Sequence, residues 1–264
     1  MKFGQRQINS QNRIRFVKKI NWKLAAAALA LALILSAAAF VIWASDASPA
    51  SEVALQALAS DSLVNVDVQD DWVVFSPADN SQPKNGFVFY PGGKVDFRAY
   101  APALRKIAAQ GYLVAVVPVS LNLAFFDVNA ATRVQSAYPE IENWFVGGHS
   151  LGGVAASLFA ADNAFVQGVV FWASYPADDA LKVKDISAVS IYGTNDGLAT
   201  EEKLNDSRAL LPDDAKFVAI EGGNHAQFGA YGFQEGDNEA FISAEEQWEQ
   251  AADATVNFFV EITR

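Results

Sequence analysis

The sequence has no cysteine at all and only two histidines, His149 and His225. The first absence excludes a disulfide framework, a thiolate metal site and a cysteine nucleophile, and it removes cysteine usage as a guide to compartment. The second leaves very few imidazoles for general base work. Acidic residues are missing from positions 1–23, which carry Lys2, Arg6, Arg13, Arg15, Lys18, Lys19 and Lys23. The rest of the chain is acidic, and the net charge is −11. An acidic body repels phosphate backbones, so nucleic acid is not an expected partner. No H-E-x-x-H, Walker or dinucleotide fingerprint occurs, and no metal or organic cofactor is expected.

What the chain does have is apolar length. Leu24 to Ala44, LAAAALALALILSAAAFVIWA, is uncharged and broken only by Ser36. At 1.5 Å per residue it spans a hydrocarbon core of about 30 Å. Trp22 and Trp43 bracket it as interfacial aromatics, and the basic segment before it assigns the N-terminus to the cytoplasm. Such a run is a transmembrane anchor or a signal sequence. Its length favours an uncleaved anchor, with Ser45-Asp46-Ala47 as the alternative cleavage site. The expected order is a basic cytoplasmic segment (1–23), the anchor (24–44), a small-residue tether (45–62) and one folded domain (63–264).

Within that domain, short β-rich runs alternate with helical patterns, which predicts an α/β fold, a mostly parallel sheet with helices on both faces. The strand candidates are Val64–Val68, Trp72–Ser76, Gly86–Tyr90, Leu113–Val119, Trp144–Gly148, Gly168–Ala173, Ala188–Gly193 and Lys216–Glu221. The helix candidates are Arg98–Ala109, Ala130–Ser136, Leu151–Ala161, Glu201–Leu211 and Ala240–Ile262. In the last, Trp248, Ala252, Phe259 and Ile262 share a face suited to packing on the sheet.

At the junction of the fifth strand and third helix stands Gly148-His149-Ser150-Leu151-Gly152, a G-x-S-x-G in the strand–turn–helix setting that exposes a serine at a helix N-terminus. A serine nucleophile needs a base, normally a histidine held by a carboxylate. His149 adjoins Ser150 and is expected to point away from it as a structural residue. That leaves His225, in the loop Gly222-Gly223-Asn224-His225. The acid expected between them in chain order is Asp196, after the strand ending at Gly193. Backbone N–H groups of Gly93 and Leu151 are the expected oxyanion donors, with Gly92 able to exchange with Gly93. Lys94 reads either as an anion-attracting residue or as a solvated loop lysine.

These residues carry a resemblance. FYPGGKVD, GGHSLGG, WASYPA, IYGTNDGLAT and EGGNHAQFG resemble, in order and wording, the compact fold-5 branch of the serine alpha/beta-hydrolase superfamily, from about Val64 to the C-terminus. The resemblance implies Ser150 as nucleophile, Asp196 as acid, His225 as base and an oxyanion site at the Gly92-Gly93 turn and Leu151. The branch is also similar to dienelactone hydrolases, but their usual cysteine is replaced here by Ser150, so that substrate does not carry over.

The expected activity is hydrolysis of a carboxylic ester through an acyl-enzyme, on a small-molecule or lipid-like substrate. The rivals are an acyltransferase on the same triad and a noncatalytic membrane-tethered binding protein. Only Tyr175 to Ile186 separates two strands where many relatives insert a lid, so the lid is minimal and the site is expected to be open. Tyr90, Phe125, Phe126, Trp172, Tyr175, Phe228 and Tyr231 are candidates to line an apolar acyl pocket.

Overall fold

The computed structural model describes residues 21–79 and 81–264. The basic segment 1–23 therefore lies outside the described residues, apart from Asn21, Trp22 and Lys23. The chain divides into two compact units, one ending at Ile42 and one spanning Trp43–Arg264.

The first helix, α1 (Trp22–Ser45), contains the apolar run. Its alanines and leucines are strong helix formers, and no acid falls in its first turn and no base in its last. It is long and apolar enough to cross a membrane by length and composition.

The folded unit is built on one sheet: β1 (Val64–Val68), β2 (Val73–Pro77), β3 (Asn85–Tyr90), β4 (Leu113–Val116), β5 (Asn143–His149), β6 (Val166–Trp172), β7 (Ser187–Gly193) and β8 (Lys216–Ile220). Their order is β1-β2-β4-β3-β5-β6-β7-β8. β1 and β2 pair antiparallel, as do β2 and β4, and every other pairing is parallel. The helices are α2 (Glu52–Gln56), α3 (Ala101–Ala108), α4 (Ala130–Ala137), α5 (Leu151–Asp162), α6 (Ala180–Val183), α7 (Glu201–Ser207) and α8 (Ala244–Ile262). The expected α/β class is what the chain adopts.

Central strands covered on both faces must be apolar at every position. β4 is buried throughout, and Phe87 and Phe89 enter one core while Val88 and Tyr90 enter the other. Phe145, Trp172, Trp248 and Phe259 belong with Phe87 in a core that includes α3 and α8. Val146, Phe171 and Phe159 of α5 belong to the opposite one.

Element ends differ from the sequence expectation for local reasons. α8 starts at Ala244 rather than Ala240 because Ser243 caps it, its Oγ accepting from Glu246 N–H at 3.2 Å. Arg98–Ala109 begins instead with a 3₁₀ turn, Phe97–Tyr100, and Glu201–Leu211 ends in another, Arg208–Leu210.

Residues 45–62, read from the sequence as a tether and then a short helix, include α2 and bond to the folded unit. Ser48 N–H donates to Lys94 O at 2.7 Å, Asp96 N–H to Ser48 O at 2.9 Å and Ser51 N–H to Ala230 O at 2.8 Å. Ala54 of α2 is fully buried in the Phe87 core, and Arg105 donates to the carbonyls of Ala57 and Ala59. Alanines and serines there, read as a linker composition, instead permit close packing.

Phe259 stacks on Phe145 with ring centroids 4.2 Å apart and meets Phe87 at 5.1 Å, fully buried. Phe259→Ala should cost about 3–5 kcal/mol of unfolding free energy, measured by urea titration; a cost below about 1 kcal/mol would contradict this packing.

Candidate active site

The candidate nucleophile lies where β5 meets α5. Ser150 holds φ 49° and ψ −120°, a left-handed backbone that a residue with a Cβ seldom adopts. Two glycines make the turn possible by their lack of bulk. A Cβ on Gly148 would stand 2.4 Å from the Gly152 carbonyl carbon, and one on Gly152 only 2.2 Å from Tyr90 O. The helix thus approaches β3 and β5 closely, and Ser150 is thrust out at the sheet edge.

His225 and Asp196 arrive from the neighbouring strand ends. Asp196 follows β7 and His225 follows β8, and His225 Nδ1 donates to Asp196 Oδ2 at 2.8 Å with both side chains nearly inaccessible. The other carboxylate oxygen, Oδ1, accepts from Leu198 and Ala199 N–H, each at 2.7 Å. A buried carboxylate so fully hydrogen-bonded is fixed in place. With its proton on Nδ1, His225 presents a bare Nε2, which is buried and has no hydrogen-bond partner. Ser150 and His225 line one cleft of about 310 Å³, together with Leu151, Ser174, Tyr175 and Leu198. Larger clefts, of about 520 and 540 Å³, contain neither Ser150 nor Asp196. The smaller one is the candidate site because chemistry, not volume, selects it.

The Gly92-Gly93 turn follows β3. A Cβ built on Gly93 would stand 3.5 Å from Leu151 Cβ, so this turn faces the start of α5. Gly92 N–H is already donated to Tyr100 Oη at 2.9 Å, which removes it as a free donor and leaves Gly93 and Leu151. Lys94 Nζ sits 4.6 Å from the Trp43 ring centroid in a cation–π contact rather than free in solvent.

Sequence reasoning did not find the residues that hold these loops. Tyr100 Oη accepts from Gly92 N–H and shares a hydrogen bond of 2.9 Å with His149 Nδ1, tying the turn after β3 to the end of β5. Ser174 Oγ donates to Ser150 O at 2.5 Å. Gln247 of α8 brackets the His225 loop, accepting from Asn224 N–H at 3.0 Å and donating to Asn224 O at 2.7 Å. Asp237 bonds Gly197 N–H and Ala226 N–H, one from each loop. Gln247 leaves one faint sequence signal, a polar residue beside Trp248 on the helix face that packs inward; the others leave none.

The aromatics named as candidates for an acyl pocket divide between core, surface and cleft. Tyr90, Trp172 and Phe228 are fully buried core residues and line no part of the Ser150 cleft. Tyr90 Oη donates to Val128 O and accepts from Ala131 N–H, and Trp172 Nε1 donates to Thr255 Oγ1. Tyr90 and Trp172 end strands whose side chains alternate into the packed layers, and their polar atoms are spent there. Tyr231 is buried beside Tyr100, while Phe125 and Phe126 are exposed outside the cleft. Of the seven aromatics only Tyr175 lines the cleft. Between β6 and β7 the chain adds no helix other than α6.

A mostly parallel open sheet with a strained serine turn, and with a paired acid and histidine at adjacent strand ends, defines the α/β class of hydrolases. The alpha/beta hydrolase family model matches residues 86–249, more than half of the chain. The chain belongs to the alpha/beta hydrolase family. It is similar in fold to Est1E from Butyrivibrio proteoclasticus, with a TM-score of 0.53, 13% identity, and 75% of this chain and 99% of that one covered. It is similar also to the thermophilic esterase Est2 from Thermogutta terrifontis, at 0.53, 15%, 76% and 92%. A third likeness is to the esterase domain of a Rhodothermus marinus protein, at 0.55, 16%, 73% and 96%. No curated protein matches the sequence.

His149 lies beside this site, fully buried, its ring centroid 4.5 Å from that of His225. Burial first, and then the neighbouring His225, hold its pKa well below the ordinary histidine value. The unfolded chain takes up a proton near pH 6.5 that native His149 refuses, so native stability is full above about pH 6.5 and lost as pH falls below it. Urea unfolding between about pH 7 and 5 should show a slope of up to about 1.4 kcal/mol per pH unit from this residue, diminished in His149→Gln. An identical slope in the variant would contradict it.

Proposed function

We propose that this hydrolase is a membrane-anchored serine esterase that cleaves a carboxylic ester through a Ser150–His225–Asp196 triad. One observation carries the reading: a histidine locked onto a buried carboxylate keeps Nε2 unpartnered in the same cleft as a serine on a strained turn. His225 takes the Ser150 proton as Oγ attacks the ester carbonyl, and Asp196 holds the imidazolium that forms. Gly93 and Leu151 N–H groups stabilise the oxyanion, the alcohol leaves with a proton from His225, and water activated by the same residue releases the acid. Tyr175, about a third exposed at the cleft, is the aromatic placed to meet the acyl or alcohol group.

The substrate class draws support from the similar structures, which are named as esterases, Est1E also with ferulic acid bound. The anchor is α1, whose 24 residues extend roughly 36 Å. Its flanking charge, basic before and acidic after, supports a cytoplasmic N-terminus and an extracytoplasmic catalytic unit.

Stopped-flow turnover of p-nitrophenyl butyrate by the full chain should show a burst of one p-nitrophenolate per site that vanishes in Ser150→Ala. Asp196→Asn should lower kcat by about 10⁴ while leaving the elbow intact. Burst-free turnover equal in parent and Ser150→Ala would overturn the triad.

A further inference from the structure

We infer that the edge of the folded unit carrying Trp43, Lys94, Phe125 and Phe126 rests on the lipid surface, so that the sheet edge bearing the site faces the membrane. The inference rests on the reading of α1 as a membrane anchor and goes beyond it by naming the docked face.

Trp43–Ser45, the last residues of α1, belong to the folded unit. Ala44, in its last turn, is fully buried, and its carbonyl accepts from Asn122 Nδ2 at 3.0 Å. Asn122 O in turn accepts from Lys94 N–H at 2.8 Å, and Lys94 O from Ser48 N–H at 2.7 Å. Trp43, half exposed and of the residue type that settles at a membrane interface, lies under the Lys94 ammonium. The point where the chain leaves the lipid is thus bonded directly to the turn that contains Gly93 and to the loop after β4.

That loop carries the apolar surface. Phe125 and Phe126 are 49% and 57% exposed, on a 3₁₀ turn that begins two residues after Asn122. At no more than about 3.6 Å per residue, Phe125 lies within roughly 11 Å of the Asn122 position along the chain, comparable with the 5–10 Å depth to which interfacial apolar groups enter a bilayer. Two partly exposed phenyl rings near an anchor's exit have a lower free energy in that layer than in water. Asp96 and Asp127, the carboxylates flanking the loop and turn, are each paired with an arginine, Arg98 at 2.5 Å and Arg133 at 3.3 Å, which lowers the cost of approaching headgroups. Leu123 of the same loop reaches within 3.6 Å of where a Gly93 Cβ would stand. An ester dissolved in the outer leaflet would therefore meet the protein beside the oxyanion turn.

The lack of cysteine makes the test clean. The full chain carrying Phe125→Cys, labelled with an environment-sensitive fluorophore, is reconstituted in phosphatidylcholine vesicles with brominated acyl chains. Val183→Cys is the control, at an exposed site of α6 just before the start of β7 and so at the opposite sheet edge. The expected result is quenching at 125 at least about twofold stronger than at 183, with a blue shift. Equal quenching at the two positions in chains that float with the vesicles would overturn the docked face alone. Chains that do not float would overturn the anchor as well.

Discussion

The left-handed backbone at Ser150 is the constraint around which the rest is arranged. A residue with a Cβ holds that conformation only where its surroundings leave no alternative. Here they do so through contact at van der Waals limits, α5 against β3 and β5, made possible by the absence of side chains at Gly148 and Gly152. The sheet supplies the counterpart. Because β5, β7 and β8 run parallel, residues just beyond their C-terminal ends gather at one edge, whatever their separation in sequence. Ser150, Asp196 and His225 occupy three such positions.

Around that edge a layer of buried polar groups acts in place of covalent staples. Tyr100 joins the turn after β3 to His149, Gln247 ties the His225 loop to α8, and Asp237 bridges the loops of Asp196 and His225. Each bond is of modest net value, but removing one partner strands the other in a dry interior. His149 has a particular place in this layer. Its burial disfavours the charged form of the ring that lies next to His225.

The segment after the apolar helix joins the same edge. In residues 45–62, whose composition reads as a tether and then a short helix, Ser48 and Ser51 bond the turn after β3 and the region of Ala230, and Ala54 of α2 enters the core. Small residues are ambiguous in a sequence, since the lack of bulk that makes a linker flexible also lets backbone approach backbone. Only the presence of a receiving surface decides between the two.

The sequence by itself determined the α/β class, the eight strands and the longer helices within a few residues of their ends, and the candidate set Ser150, Asp196 and His225. Those signals are local or subtractive: apolar runs and their periodicity, a glycine-flanked serine at a strand–helix junction, and a histidine count so low that the candidate base followed by elimination. Tertiary structure decided that Tyr90, Trp172 and Phe228 are core while Tyr175 borders the cleft, and that Gly92 N–H belongs to Tyr100. It also decided that Gln247 and Asp237 position loops distant from them in sequence. An aromatic reads alike whether it fills a core or lines a pocket, because burial depends on which other elements pack over it, and those contacts join residues far apart in the chain.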